Sequence, residues 1–129
     1  MKVLNRIAAD FDSTIDNADE VVKGIRIENF NEFKESGIPT SKEEFWKYTD
    51  PSIVNDSEFS LGASTEINDD NFDIIIVNGK LVKKIEHIMN TDVQNGFSSN
   101  LLKNNYFDKT TNPFINLNNA FLTDGCVIN

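Results

Sequence analysis

The stretch Gly37–Pro51, GIPTSKEEFWKYTDP, decides how this chain is read. It stacks a helix stop, a helix start and an aromatic–basic cluster into fifteen residues. Gly37 can adopt the left-handed conformation that closes a helix. Pro39 cannot continue one. Thr40 with Glu43, or Ser41 with Glu44, has the spacing of a capping box, which predicts a new helix at once. Phe45, Trp46 and Tyr48 then place three rings within four residues. Asp50 before Pro51 reads as a further N-cap with proline at the first helical position, leading into a short turn through Ile53 and Val54.

Upstream, Val3, Leu4, Ile7, Ala8 and Phe11 recur at helical spacing, predicting a helix from Lys2 to about Phe11. Residues 12–19 read as a polar break. Asp19 or Asn17 can cap a second helix from about Glu20 to Ser36, with Val22, Ile25, Phe30 and Phe33 on its apolar face. Downstream, residues 55–71 read as loop. Asp73–Val77 is β-branched and predicts a strand. Asn78-Gly79 supplies a two-residue hairpin turn, and Lys80–Ile85 the returning strand. Residues 86–96 fit neither template, with Ile88 and Met89 set to cover the core. Ser98 or Ser99 can cap a helix through Leu101, Leu102 and Tyr106. Asn112-Pro113 can open another, with Phe114, Leu117, Ala120 and Phe121 on one face. Asp124-Gly125 reads as a turn, and Cys126–Ile128 as the start of a strand left dangling.

With 129 residues, one domain is expected. Twenty-one acidic against 12 basic side chains give a net charge of −9. That field repels phosphate backbones and anionic membrane surfaces, so neither nucleic acid nor membrane is expected as a partner. The first residues turn acidic too early for a signal or transit peptide. A single cysteine excludes an intrachain disulfide, and the reading is cytoplasmic.

The Gly37–Pro51 block resembles the N-terminal region of the SufD family, a component of the SUF iron–sulfur cluster assembly machinery. The matching residues are Gly37, Pro39, Thr40, Lys42, Glu44, Trp46, Lys47, Tyr48 and Thr49. Further matches occur in order: the helix ending at Phe30, Phe33 and Gly37; the hairpin Val77, Asn78, Gly79, Leu81 and Val82; and Leu117, Asn118, Ala120, Phe121, Asp124 and Gly125. The sister SufB family shares the architecture but usually lacks the tryptophan–tyrosine–threonine block. The resemblance implies an α+β fold: a small helical domain with one β-hairpin over residues 1–122. Residues 123–129 would then be the first strand of a β-helix that the chain does not contain. It implies a noncatalytic N-terminal domain of a SufD-like subunit, with SufB and SufC as partners in the SufBCD scaffold. Its role would be to cover the open end of the β-helix. No catalytic, cofactor-binding or metal-ligating residue is expected, and homodimerisation stays open.

Two other classes compete. Asp10-Phe-Asp12-Ser-Thr14-Ile15 resembles the first motif of haloacid-dehalogenase-like magnesium-dependent phosphatases, which implies Asp10 as nucleophile and Asp12 as general acid. That chemistry needs the motif at the end of a buried strand. Asn5 and Arg6 in the preceding segment fit a helix better, and Ser13 replaces the usual glycine. Asp69-Asp70 imitates a late acidic motif, without an apolar strand leading in. The third class is an independent protein-interaction module built on Trp46, Lys47 and Tyr48. The ordinary reading of Trp46 and Tyr48 is packing against the Glu20–Ser36 helix. An EF-hand reading of residues 10–21 fails at Ile15 and Val21, where glycine and glutamate are required. His87 alone is no metal site. Cys126 reads as a small buried hydrophobe.

Overall fold

The computed structural model describes residues 2–63, 65–67, 69–84, 87–88, 91–95, 110–123 and 126–128. Helix α1 spans Lys2–Ile15, α2 Glu20–Ser36, α3 Ile53–Asp56 and α4 Pro113–Ala120, with a 3₁₀ turn at Glu44–Trp46. The strands are β1 Ile74–Val77, β2 Lys80–Lys84, β3 His87–Ile88, β4 Thr91–Asn95 and β5 Cys126–Ile128. The α+β class is as the pattern implied. The chain divides into two compact units: residues 1–60 with 107–122, and residues 61–106 with 123–129.

The helical unit is built on a phenylalanine core. Phe11, Phe30, Phe33 and Ala120 are buried together, with Leu4, Ile7, Ile15, Ile38, Leu117 and Phe121 packed around them. Phe11 stacks on Phe30 with centroids 4.0 Å apart and meets Phe121 edge-on at 6.0 Å. Helix α1 runs a turn beyond the predicted stop at Phe11. Ser13 and Thr14 donate their hydroxyls to the carbonyls three residues back, at 2.8 and 3.1 Å, and Ile15 joins the core. The polar run is therefore helical until Ile15, since hydroxyls that bond back to the backbone tolerate a helix.

Helix α2 has its predicted bounds. Asp19 caps it by accepting from the Val21 N–H at 3.0 Å. Gly37 closes it at φ 69°, donating its N–H to Phe33 O at 2.7 Å. Helix α4 opens as expected: Asn112 accepts from the Phe114 N–H at 3.0 Å, with Pro113 in the first turn.

The second unit carries two antiparallel sheets. In the first, β1 pairs with β2 through the Asn78-Gly79 turn. Both turn residues have positive φ, 50° and 78°, the conformation that a right-twisted two-residue hairpin requires. The register shifts between Ile75 and Ile76 (paired to Lys83 and Leu81), so Val82 is the extra residue of a bulge. In the second sheet the order is β3-β4-β5. The expected dangling strand is thus corrected. Cys126, Val127 and Ile128 pair with Asn95, Gln94 and Val93. The partner comes from the segment that fitted neither periodicity. Its Thr91–Asn95 sequence, TDVQN, holds a single apolar residue, so neither alternation nor an apolar run announces a strand. The predicted Ser98/Ser99-capped helix and the Asp124-Gly125 turn lie outside the described residues, as do Ile85 and Met89.

Candidate interaction surface

The block from Gly37 to Pro51 departs from the expected helix. Half of the capping box forms well: the Thr40 N–H donates to Glu43 Oε1 at 3.0 Å, while Lys42 N lies 3.4 Å from Thr40 Oγ1. Beyond the cap there is only the 3₁₀ turn, held by Trp46 N to Glu43 O at 2.9 Å and Thr49 N to Trp46 O at 3.1 Å. The reason is length. A helix nucleus is costly, and the residue before Pro51 is pushed away from helical geometry. Too few residues lie between Thr40 and Asp50 to recover the cost. Asp50 then accepts from the Ser52 N–H at 2.9 Å, and α3 begins at Ile53. Hydrogen bonds from Ser52 hold the Asp50 carboxyl below the ordinary value of 3.8.

This local geometry sorts the three rings. Trp46 is half-buried and sits edge-on to Phe114 of α4, centroids 5.3 Å apart. Phe45 is 98% exposed and Tyr48 93%. Phe45 lies in the 3₁₀ turn and Tyr48 two residues beyond its end at Trp46. The Lys47 ammonium lies 5.5 Å from the Tyr48 ring centroid. The expected packing of Trp46 and Tyr48 on α2 is corrected: Trp46 seats on α4, and Tyr48 faces solvent.

Asp10 and Asp12, the residues of the phosphatase-like motif, lie within α1, not at the end of a strand. Asp10 is half-buried, Asp12 exposed. Asp69 accepts from the Asn71 backbone and side-chain amides at 2.9 and 2.7 Å. Lys83 Nζ donates to Asp69 O at 2.7 Å and pairs with Asp70 Oδ1 at 3.0 Å. His87 is in β3 and Cys126 in β5. Among the described residues, no three His, Cys, Asp or Glu side chains converge to hold a metal ion. Among the same residues, no helix is long and apolar enough to cross a membrane.

The residue that the pattern reading passed over is Arg26, buried to 1% exposure. Its Nε donates to Ala120 O at 2.7 Å, Nη1 to Thr14 O at 3.2 Å and Nη2 to Thr14 Oγ1 at 2.7 Å. Phe11 lies under the guanidinium at 5.6 Å. The acceptors sit at the C-terminal ends of α1 and α4, where helix carbonyls lack intrahelical partners and carry partial negative charge. Burial depresses the Arg26 pKa from its ordinary value. Asn119, also buried, donates Nδ2–H to Asn29 Oδ1 at 3.2 Å. A signal for Arg26 was present: positions 22, 26, 30 and 33 form one helical stripe, and a base at its second place is placed among core residues.

Comparison of the chain with protein-family models, with curated proteins and with solved structures yields no match.

Proposed function

We propose that this chain is a noncatalytic, cytoplasmic N-terminal domain of a SufD-like subunit, serving the SufBCD iron–sulfur scaffold as a structural element that covers the open end of the β-helix. The supporting observation is a convergence. Two blocks that carry the resemblance, Gly37–Thr49 and Leu117–Phe121, are far apart in sequence and meet in one helical unit. Trp46 of the first seats on Phe114 of α4. That helix carries Leu117, Asn118 and core Ala120 of the second. Shared packing gives both blocks a common structural reason. The reading as an independent interaction module draws on a separate observation, the solvent-facing Phe45 and Tyr48. The phosphatase reading draws no support from Asp10 and Asp12 on a helix.

Depleting the gene in its source organism tests the proposal. Activity of iron–sulfur enzymes such as aconitase is expected to fall and to return on complementation with the intact gene. Unchanged cluster occupancy in those enzymes would overturn it.

A further inference from the structure

We propose that Asn78 is a deamidation site, gated by the contact that seats its side chain on Gly62 and Ala63. The inference goes beyond the SUF assignment and does not depend on it. Asn78-Gly79 is the two-residue turn between β1 and β2, and Asn78 holds φ at 50°. Its Nδ2 donates to Ala63 O at 2.8 Å. Its carboxamide carbon occupies the space that a side chain on residue 62 would need: a Cβ built on Gly62 would lie 2.7 Å from Asn78 Cγ. A bare glycine thus makes the seat, and one hydrogen bond holds the amide in it.

An asparagine followed by glycine is self-reactive, because no side chain shields the next backbone nitrogen. The deprotonated Gly79 nitrogen attacks Asn78 Cγ, and the new C–N bond closes a succinimide ring. The Cγ–Nδ2 bond breaks, and ammonia leaves with a proton from solvent. Water then opens the ring at either carbonyl, giving aspartate or isoaspartate; nothing is oxidised or reduced. Ring closure has to turn the carboxamide and expel its nitrogen, so Nδ2 must first release Ala63 O. The fold therefore sets the rate through the fraction of time that this contact is open. The product cannot remake the contact. A carboxylate has acceptors alone and would set its charge against Ala63 O. Isoaspartate routes the main chain through an added methylene, at odds with the Val77–Lys80 pairing across the turn. Conversion thus detaches the Gly62-Ala63 segment from the hairpin in one direction only.

The test ages the full chain in mildly alkaline buffer, folded or in guanidinium chloride, and follows conversion by peptide mapping with mass spectrometry. Asn95-Gly96, the other such pair in the sequence, is the reference for the unfolded rate, and in denaturant the two pairs should react at similar rates. In the folded chain Asn78 should convert, but at least about tenfold more slowly than in denaturant. Gly62→Ala, which crowds the seat, should speed conversion in the folded chain about fivefold or more. Asn78→Asp reproduces one product directly and should raise amide exchange at Ile74–Val77 severalfold. Several results would overturn the proposal: no conversion of Asn78 in the folded chain, equal rates folded and denatured, a Gly62→Ala rate matching the parent chain, or unchanged exchange in Asn78→Asp. The comparison of folded with denatured parent chain needs no substitution, so it decides the matter even where Gly62→Ala does not fold.

Discussion

Replacing Arg26 by methionine keeps most of its volume and removes every donor. Three acceptors in the helical unit then lose their partner: Ala120 O, Thr14 O and Thr14 Oγ1. A hydrogen bond from a charged donor contributes about 1.5–3 kcal/mol, and a buried acceptor left alone costs about 1–3 kcal/mol. These terms are not additive, and removing the guanidinium also relieves its desolvation, the effect that depresses its pKa. Losses on breaking such buried charged networks run to about 3–5 kcal/mol. We expect a loss near the lower end, about 3 kcal/mol, for Arg26→Met. That is a large share of the roughly 5–15 kcal/mol that holds a domain together. Urea unfolding monitored by the fluorescence of Trp46, the chain's one tryptophan, reads this unit directly. With a urea slope of about 1–3 kcal/mol/M, the midpoint should fall by about 1–3 M. Arg26→Lys should recover little, because a single ammonium cannot span two helix ends as the planar fork does. Thr14→Val should cost about 1–2 kcal/mol, and the double variant should lose less than the sum. A loss under about 1 kcal/mol for Arg26→Met would refute the reasoning, showing that water replaces the guanidinium at both helix ends.

Single contacts set the other expected outcomes. A Cβ at Gly62 would lie 2.6 Å from Asn78 Cβ and 2.7 Å from its Cγ, so Gly62→Ala should destabilise the hairpin by about 1–3 kcal/mol, seen as faster amide exchange at Ile74–Val77. Phe33, with no exposure at all, should cost about 3–5 kcal/mol on replacement by alanine. The same change at Phe45 should leave the urea midpoint almost unmoved. The Asp50 carboxyl should titrate below 3.8, and Ser52→Ala should move it toward 3.8. Because its folded value is depressed, the stability it lends is present above the unfolded pKa and disappears as pH falls through the folded one; carbon NMR of the carboxyl against pH checks both.

Where local chemistry governs, the fold was legible. Asp19 and Asn112 cap through their side chains, Gly37, Pro113 and Asn78-Gly79 through backbone conformation, all within a few residues, and each element boundary that they mark appears. The capping box misled because a cap starts a helix but does not supply its length, and Pro51 comes too soon. Thr91–Asn95 was unreadable because a strand with one apolar residue is defined by the strands beside it. The burial of Arg26 was legible from its place on the 22, 26, 30, 33 stripe, but its acceptors on α1 and α4 were not, because they are brought to it only by the fold. The same limit applied to the candidate surface. The spacing showed three clustered rings but not which would be seated, since that depended on Phe114, far along the chain.

One measurement bears most directly on the account, because the reassigned role of the aromatic block depends on which rings face water. Hydroxyl-radical footprinting with mass spectrometry, comparing the folded chain with the chain in denaturant, gives the protection of each ring. Phe45 and Tyr48 should be oxidised nearly as fast as in denaturant, while Trp46 and especially Phe33 should be protected. Protection of Phe45 and Tyr48 comparable to that of Phe33 would contradict the account.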